Sequence, residues 1–362
     1  MIPDLRAIVP AGGAGTRLWP LSRAGSPKFL HDLTGTGRTL LQATVDRLLP
    51  LTGPEGVVVV TGRRHLEAVR GQLDLAAQAV LGEPSPKDSM AAIGLAAAVL
   101  VEREPDVVIG SFAADHVIAG DGFGDAVRQA VAVAREGYLV TVGIAATEPS
   151  TAFGYVRAGE PLAISGAPSA RHVSGFTEKP DATTAAGYLA TGEYRWNAGM
   201  FVVRARVLLD HLARLNPPLH DGLRAIAAAW DTDARSATLE RYWSDLPAIA
   251  IDRAIAEPVA AEGGVAMVPG DFPWHDIGDF ASLASRLRAD GSGARVLGAG
   301  DVLAIDADGA LVVTGGRLVA VLGIDDVVVV DTPDALLVTT RGHAQQLKAV
   351  VDAVRDRRAD LL

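Results

Sequence analysis

The N-terminal segment AGGAGTRLWP, residues 11–20, combines three glycines with an arginine directly after an apolar stretch. Glycine reaches positive φ and leaves backbone N–H groups open to a ligand, so a strand that ends in glycines can bind an anion. Arg17 lies within this turn, and Lys28 follows eleven residues later. Two cations beside such a turn predict a site for a triphosphate, whose charge must be neutralised on binding and during a displacement reaction.

Two other glycine-rich phosphate motifs do not fit this loop. The third glycine position of the dinucleotide fingerprint GxGxxG falls on Leu18, and no acidic ribose partner follows a second strand. A Walker A loop would end in Gly-Lys-Ser/Thr, which is absent. The segment is therefore either a triphosphate site of another kind or a plain turn between a strand and a helix with two solvated bases.

Two aspartates far apart in the sequence are candidates for holding a metal ion. Asp115 follows the apolar strand VVIG, and Asp276 lies in FPWHDIGDF. A magnesium ion that bridges phosphate oxygens takes only one or two protein carboxylates, so this pair would suffice. The alternatives are a turn or helix cap for Asp115 and an N-cap of a helix at 280–287 for Asp276. The neighbouring His116 and His275 lack the spacing of a zinc motif.

The composition is that of a folded protein without a basic face. The 362 residues carry a formal charge of −10, and 49% of them are hydrophobic, which is enough for a globular core. No nucleic acid or membrane partner is expected, because both require a basic surface. The absence of cysteine and of a signal-peptide pattern favours the cytoplasm. The apolar run at 90–101 is too short for a membrane span and predicts a buried helix.

Short β-branched segments alternate with helical patterns up to about residue 149. Repeated βαβ units predict a Rossmann-like, doubly wound α/β sheet with ligands at the carboxyl ends of its strands, where the glycine loop also lies. After residue 149, predicted extended segments interrupt this alternation of strands and helices. Such a pattern is expected of an insertion that covers a substrate. The predicted strands are 7–9, 57–61, 107–109 and 139–142, and the predicted helices are 40–49, 66–75, 91–102 and 123–135.

From about residue 295 the chain changes to short strands with turn pairs at nearly regular intervals, followed by an amphipathic helix at 344–357. This regular spacing of short strands predicts a small β-solenoid or roll. We therefore expect a larger α/β domain at 1–290 and a small β-rich domain at 291–362. Valine-rich strands leave sheet edges open, and pairing of those edges between two copies predicts a homodimer.

The segment AGGAGTRLWPLSRAGSPKFL resembles the signature AGGxGTRLWPLS…PKxFL of the sugar-1-phosphate nucleotidylyltransferases, and its WPLS is similar to the mannose-1-phosphate guanylyltransferase branch. Five later segments resemble further motifs in the family's order: SFAADHVI, FGYV, FTEKPD, YRWNAGMFV and FPWHDIGDF. The resemblance implies a nucleotide-diphospho-sugar transferase fold with a mixed sheet. It also implies that GTP and α-D-mannose 1-phosphate give GDP-mannose and diphosphate by in-line attack on the α-phosphate.

The resemblance assigns a role to each motif residue. Arg17, Lys28 and Asp115 would be catalytic, with Lys28 stabilising charge at the α-phosphate. Asp115 and Asp276 would hold Mg²⁺ or another divalent cation. The sugar phosphate would be bound by Gly154, Glu178, Lys179 and Asn197, and the nucleotide by Ala11, Gly12, Gly13, Gly15, Thr16, Arg17, Glu83 and Asp115. Without the resemblance, Glu178 and Lys179 would read as a surface ion pair and Asn197 as a turn residue.

The sequence departs from the family pattern in two places and leaves alternatives open. The segment EPxxRNTAPAI appears as EPSPKDSMAAI, with Lys87, Asp88 and Ser89 at the altered positions, and PKFL is one residue shorter than PKQFL. Because the first segment borders the nucleotide site in the family, another sugar phosphate, dTTP or UTP stays an alternative. A catalytically weak regulatory subunit that binds GDP-mannose is a further alternative.

The short C-terminal part lacks the isomerase domain of bifunctional relatives. This predicts a single activity, as in the short, monofunctional form of the enzyme.

Overall fold

The computed structural model describes residues 1–13 and 15–362, so Ala14 of the glycine loop lies outside the described residues. The chain forms two compact units whose segments interleave along the sequence. The first unit comprises Met1–Gly12, Thr44–Ala114 and Ile118–Trp274, and the second comprises Gly13–Ala43, Asp115–Val117 and His275–Leu362. The domain boundary between residues 290 and 291 stays a prediction.

A nine-stranded sheet forms the centre of the first unit, in the order β3-β2-β1-β4-β9-β6-β10-β8-β7. Strands β3, β2, β1 and β4 are parallel, and β9 lies antiparallel beside β4. The expected α/β fold with a mixed sheet is therefore confirmed. The strands up to residue 275 are β1 (Leu5–Ala11), β2 (Val57–Gly62), β3 (Val80–Glu83), β4 (Val108–Ser111), β5 (Val117–Ile118), β6 (Leu139–Ala145), β7 (Gly154–Pro161), β8 (Arg171–Thr177), β9 (Tyr194–Arg204), β10 (Val265–Gly270) and β11 (Trp274–His275).

Helix α3 (Asp88–Arg103) confirms the buried helix expected at 90–101. Every residue from Met90 to Leu100 is buried, as expected of a helix that is apolar on all sides, and the helix contacts β1 and β2. Helix α2 ends at Gln72, three residues before the predicted end, because Leu73 is extended and buried. The helices up to residue 261 are α1 (Leu40–Thr52), α2 (Leu66–Gln72), α3, α4 (Gly122–Arg135), α5 (Ala182–Thr191), α6 (Ala205–Leu215), α7 (Pro217–Ala228), α8 (Arg235–Trp243) and α9 (Glu257–Ala261).

The C-terminal part of the second unit is a small β-helix, which confirms the expected solenoid. Strands β12, β14 and β16 are parallel, as are β13 and β15. Paired residues lie 16 or 17 positions apart, from Arg295 to Leu311 and from Leu311 to Val328, so each coil has a nearly constant length. The elements are α10 (Phe280–Arg286), β12 (Arg295–Gly298), β13 (Val302–Ile305), β14 (Leu311–Thr314), β15 (Val319–Leu322), β16 (Val327–Asp331), β17 (Leu336–Thr340) and α11 (Leu347–Arg357).

The residues after the glycine loop are anchored within the second unit. Leu18 and Trp19 are buried in a core that they share with strands of the β-helix. The indole Nε1 of Trp19 donates to the carbonyl oxygen of Leu361 over 2.8 Å. The signature therefore places Leu18 and Trp19 in the core, while Gly13 and Arg17 are exposed and Gly15 is half-buried.

In the part of the chain that the structure describes, no helix combines the length and apolar character needed to cross a membrane. The cytoplasmic location stays a prediction.

Candidate functional site

Lys28 connects two distant segments of the second unit. It begins a short 3-10 helix, Lys28–Leu30, and only 6% of its surface is exposed. Its Nζ donates to Asp115 Oδ2 over 2.9 Å and to the backbone carbonyl of Asp276. A buried ammonium group requires such acceptors, so the lysine fixes both segments. We refer to Arg17, Lys28, Asp115 and Asp276 as the Lys28 cluster.

Asp115 lies in a turn after β4, and 35% of its side chain is exposed. Burial by itself raises the pKa of the carboxyl group. The ammonium of Lys28 and the imidazole of His116 outweigh this effect and hold the pKa of Asp115 below its usual value. Asp115 is therefore ionised at neutral pH and can accept a cation on its exposed side.

The side chains of Asp276 and Arg17 both lie beside Gly278. A methyl group built on Gly278 would lie 3.6 Å from both carboxylate oxygens of Asp276 and 3.6 Å from Nη1 of Arg17. The N-cap of helix α10 is Asp279, whose side chain accepts from the Ser282 N–H in a capping box. The alternative that Asp276 caps this helix is therefore wrong, and its carboxylate lies beside Gly278 instead.

The Lys28 cluster contributes two carboxylates as potential metal ligands. Among residues 1–13 and 15–362, no group of three or more His, Cys, Asp and Glu side chains is arranged to hold a metal ion. One or two carboxylates are the usual protein contribution to a Mg²⁺ site, in which water and substrate oxygens fill the other positions. The donor set of Asp115 and Asp276 therefore fits a hard divalent cation that is bound together with phosphate.

Two glycines of the loop adopt positive φ, at 85° for Gly13 and 59° for Gly15. A methyl group built on Gly15 would lie 2.8 Å from Cβ of Lys28 and 2.9 Å from Oγ of Ser22. Both the backbone angle and the close approach of Lys28 therefore require glycine at this position. Apart from its chain neighbours, no described residue has an atom within 4 Å of the corresponding position on Gly13, which leaves space beside its backbone.

The remaining loop residues predicted to bind nucleotide also have defined places. Ala11 ends β1, and its carbonyl oxygen accepts from Oγ1 of Thr61 over 2.8 Å. Gly12 follows at the surface of the first unit. In the second unit, Thr16 is exposed and begins a 3-10 helix, Thr16–Leu18.

Glu83 ends strand β3, and only 7% of its surface is exposed. Within the described residues, its Oε1 has no hydrogen-bond partner. Burial raises the pKa of this carboxyl group to about 7. A buried carboxylate without a partner is costly, so this side chain is suited to a ligand that brings hydrogen-bond donors.

The segment that departs from the family pattern is tied into the first unit by its own side chains. Lys87 Nζ donates to the carbonyl oxygens of Ser244 and Leu246, over 2.6 and 2.7 Å. The hydroxyl of Ser89 accepts from the Ile251 N–H over 2.9 Å. The substituted residues therefore hold the chain between α8 and α9 in place.

Gly154, Glu178 and Asn197 come together in the first unit, although they lie in three separate motifs. Strand β9 pairs with β7 so that Asn197 lies opposite Gly154. A methyl group built on Gly154 would lie 2.5 Å from Oε2 of Glu178 and 3.3 Å from Cβ of Asn197. Any side chain at this position would displace the Glu178 carboxylate, whereas glycine leaves both polar side chains in place. We refer to these three residues and Lys179 as the Asn197 cluster.

Glu178 and Lys179 are adjacent, but their side chains differ in exposure. The side chain of Glu178 is 8% exposed and that of Lys179 is 56% exposed. Lys179 Nζ donates to Oε1 of Glu178 over 2.6 Å, and Lys179 itself has a φ of 50°. The pair is therefore more than a surface ion pair, because its carboxylate is buried beside Asn197 and its ammonium is open to solvent.

Asn197 is buried within strand β9, which excludes the alternative of a turn residue. Its Oδ1 accepts from Oγ1 of Thr141 over 2.8 Å and from the Gly199 N–H over 3.2 Å. Its Nδ2 donates to Oδ1 of Asp252 over 2.6 Å. Three partners therefore fix the plane and the orientation of the amide.

Two carboxylates beside the Asn197 cluster were not among the predicted site residues. Asp252 accepts from Asn197, and Oε1 of Glu257 accepts from the Glu178 N–H over 2.9 Å. Both lie on the helical segment that begins with a π-helix, Asp252–Ala256, and continues as α9. Their sequence, DRAIAE, matches no chemical motif, and only their place beside the cluster distinguishes them.

Comparison with protein-family models identifies the family of the chain. The family model described as "Nucleotidyl transferase" matches residues 6–292. The chain belongs to this family. A second model, described as "MannoseP isomerase/GMP-like beta-helix domain", matches residues 300–354. This nucleotidyltransferase therefore carries a β-helix after its α/β part, as the spacing of the C-terminal strands predicted.

Curated relatives of this nucleotidyltransferase match it over almost its full length. "Mannose-1-phosphate guanylyltransferase" of Escherichia coli (strain K12) is 37% identical over 361 residues, which cover 97% of this chain and 73% of the relative. "Xanthan biosynthesis protein XanB" of Xanthomonas campestris pv. campestris (strain ATCC 33913) is 37% identical over 359 residues, with the same coverage. A solved structure titled "mannose-1-phosphate geranyltransferase" from Thermus thermophilus has a TM-score of 0.85 and 31% identity, and covers 97% of this chain and 99% of its own.

The family defines the chemistry in general terms. The protein is a sugar-1-phosphate nucleotidyltransferase, an enzyme class whose substrates are a nucleoside triphosphate and a sugar 1-phosphate. Enzymes of this class use a divalent metal ion. The expectation of a nucleotidyltransferase is thereby confirmed.

Proposed function

We propose that the protein is a mannose-1-phosphate guanylyltransferase, which converts GTP and α-D-mannose 1-phosphate into GDP-mannose and diphosphate. The observation that carries this proposal is the buried ammonium of Lys28, held between Asp115 and the Asp276 carbonyl. A fixed cation beside an ionised aspartate suits a displacement at phosphorus, whose transition state gathers negative charge. Relatives with this name support the choice of substrates.

The nucleotide phosphates bind to the loop after β1 in this proposal. Backbone N–H groups of the glycines receive the phosphate oxygens, and Arg17 and Lys28 neutralise their charge. Lys28 stabilises charge at the α-phosphate during attack. The loop residues in this role are Ala11, Gly12, Gly13, Gly15, Thr16 and Arg17.

Asp115 and Asp276 would hold Mg²⁺, with water and phosphate oxygens as the other ligands. When bound, the ion neutralises charge on the phosphate oxygens and aligns them for in-line displacement. Asp115 is ionised at neutral pH, because Lys28 and His116 outweigh its burial and lower the pKa of its carboxyl group.

Guanine is the base that Glu83 suits best. Its carboxylate is buried and lacks a partner on Oε1 within the described residues. Guanine has an N–H and an amino group side by side on one edge, and a carboxylate can accept from both. Adenine presents an acceptor in place of that N–H, so it offers only its amino group as a donor. Glu83 therefore favours GTP over ATP.

The sugar phosphate binds to the Asn197 cluster in this proposal. Glu178 accepts from a hydroxyl group of mannose, and the amide of Asn197 donates to one. Gly154 lets the sugar approach the backbone, and the exposed ammonium of Lys179 contacts the phosphate. The attacking phosphate oxygen is already ionised, so no general base is required.

The domain division and the oligomeric state belong to the same proposal. Residues 1–290 form the catalytic domain and 291–362 the β-rich domain. A homodimer is supported by large apolar side chains on the β-helix that are 60–70% exposed, namely Leu318, Leu322, Leu336 and Val338. Light scattering coupled to size-exclusion chromatography measures the molecular mass in solution. A homodimer should give twice the 37.5 kDa of one chain.

Pyrophosphate release tests the proposed reaction. The purified protein with a divalent cation should release pyrophosphate only when GTP and mannose 1-phosphate are both present. ATP, UTP, dTTP and CTP in parallel reactions should give lower rates. A higher rate with another nucleotide would contradict the choice of base, and no release with any nucleotide and sugar phosphate would contradict the enzyme activity itself.

A further inference from the structure

One short helical segment supplies a carboxylate to each of two residues of the Asn197 cluster. It consists of the π-helix Asp252–Ala256 and α9. The Glu257 N–H donates to the Asp252 carbonyl, which is the i→i+5 bond of a π-helix. This bond places Glu257 one turn after Asp252 on the same side of the helix, so both side chains can face the cluster.

Asp252 determines the orientation of the Asn197 amide. The Gly199 N–H can only donate, so the amide atom that faces it must be the oxygen. The amide nitrogen must then face Asp252, and the 2.6 Å bond to Asp252 Oδ1 uses one of its two hydrogens. Asp252 is the one acceptor found for this nitrogen among the described residues, so the second hydrogen can serve an acceptor on a ligand, such as a sugar hydroxyl oxygen.

Glu257 has the corresponding role for Glu178. Its Oε1 accepts from the Glu178 N–H over 2.9 Å, just after the end of β8. This bond fixes the backbone from which the Glu178 carboxylate projects to Gly154. The helical segment therefore places a hydrogen-bond donor on Asn197 beside an acceptor on Glu178.

We propose that Asp252 and Glu257 are positioning residues of the sugar-phosphate site, which hold Asn197 and Glu178 as a donor and acceptor pair for neighbouring hydroxyl groups of the sugar. Neither residue needs to touch the sugar for this role. The inference rests on the proposed function, since it assumes that the Asn197 cluster binds the sugar phosphate.

The electrostatics of Asp252 agree with a role other than stability. Burial raises the pKa of Asp252 to about 6, and the negative charge of Glu178 adds to the effect, while the amide of Asn197 and the ammonium of Lys179 oppose it. At neutral pH the protein therefore keeps a carboxylate ionised where ionisation is unfavourable. A buried carboxylate with a raised pKa does not stabilise the fold, and such groups occur most often at functional sites.

Steady-state kinetics with Asp252→Ala and Glu257→Ala test the inference. Both variants should raise the KM for the sugar 1-phosphate about tenfold, while kcat and the KM for the nucleotide change less than threefold. Asp252→Asn, which retains an acceptor for the Asn197 amide, should restore the KM to within about threefold of wild type. Glu262→Gln is the matched control, because Glu262 follows α9 and pairs with Arg214 at the surface.

A double-mutant cycle separates positioning from a general structural effect. If Asp252 acts through Asn197, Asp252→Ala should add less than twofold to the KM once Asn197 is already alanine. If Asp252→Ala does not fold, Asp252→Ser takes its place, because serine keeps a polar group at the helix start but is too short to reach Asn197.

The possible outcomes are distinguishable. A wild-type protein that turns over no sugar 1-phosphate would contradict the proposed function and this inference with it. An active wild type with an unchanged sugar-phosphate KM in the alanine variants would overturn only the inference. An equal rise of both KM values, additive effects in the cycle, or an Asp252→Asn variant as impaired as the alanine variant would also overturn it.

Discussion

Replacing Glu83 by glutamine should stabilise the folded protein and weaken GTP binding at the same time. The pKa of Glu83 is about 7 in the folded protein, against 4.5 for an unburied glutamate, because burial penalises its charged form. Ionisation therefore opposes folding. The opposing free energy is small below about pH 4, grows between about pH 4.5 and 7, and is complete by about pH 8. A pKa difference of about 2.5 corresponds to about 3 kcal/mol at 1.36 kcal/mol per unit.

Urea-induced unfolding at several pH values measures this effect. The Glu83→Gln variant should be more stable than wild type by up to about 3 kcal/mol at pH 8 and by less than about 0.5 kcal/mol at pH 4. Glu55→Gln is the control, because Glu55 is exposed, and its free energy of unfolding should stay within about 0.5 kcal/mol of wild type at both pH values. A difference between wild type and Glu83→Gln that does not change with pH would refute the reasoning.

The same variant should lose affinity for GTP. An amide can accept only one of the two guanine hydrogen bonds, and its NH₂ group opposes the other donor. The loss of a charged hydrogen bond costs about 2 kcal/mol, so the KM for GTP should rise roughly 30-fold with little change for ATP. Equal KM values for GTP in wild type and variant would remove Glu83 from the base site.

Three further substitutions test the two clusters. Asp115→Asn should lower kcat roughly 100- to 1,000-fold with a smaller change in the KM for GTP, because the divalent cation that Asp115 would hold acts mainly in the transition state; near-normal turnover would contradict this role. Lys179→Ala should raise the KM for the sugar phosphate about tenfold with kcat retained, and an unchanged KM would exclude it from the site. Gly15→Ala should displace Lys28 and reduce kcat at least tenfold, whereas Gly137→Ala, also at positive φ but with no atom within 4 Å, should lower stability alone. Equal kcat values in these two glycine variants would refute the steric argument.

Much of the fold could be predicted because its signals are local. The apolar run at 90–101 predicted a buried helix, and α3 confirms it. The regular spacing of valine-rich strands after residue 295 predicted a solenoid, and the β-helix register of 16 or 17 residues confirms it. The end of α2 was wrong, since the burial of Leu73 depends on tertiary packing that a helical period does not record.

The site was predictable only where its residues lie in motifs. Asp276 and Asp279 are both plausible N-caps from the sequence, and only the Ser282 capping box identifies Asp279. Asp252 is 55 residues from the Asn197 that it contacts, and it lies in a segment with no chemical signature. Such a partner is determined by how strand β9 and the following helices fold back, which no short stretch of sequence encodes.

A competition experiment tests the central claim most directly. GTP, ATP, UTP, dTTP and CTP are supplied at equal concentrations together with mannose 1-phosphate, glucose 1-phosphate and a divalent cation, and mass spectrometry identifies the nucleotide sugar that forms first. GDP-mannose as the main initial product is the predicted result. A different nucleotide sugar as the main product would contradict the proposed substrates while leaving the family chemistry in place.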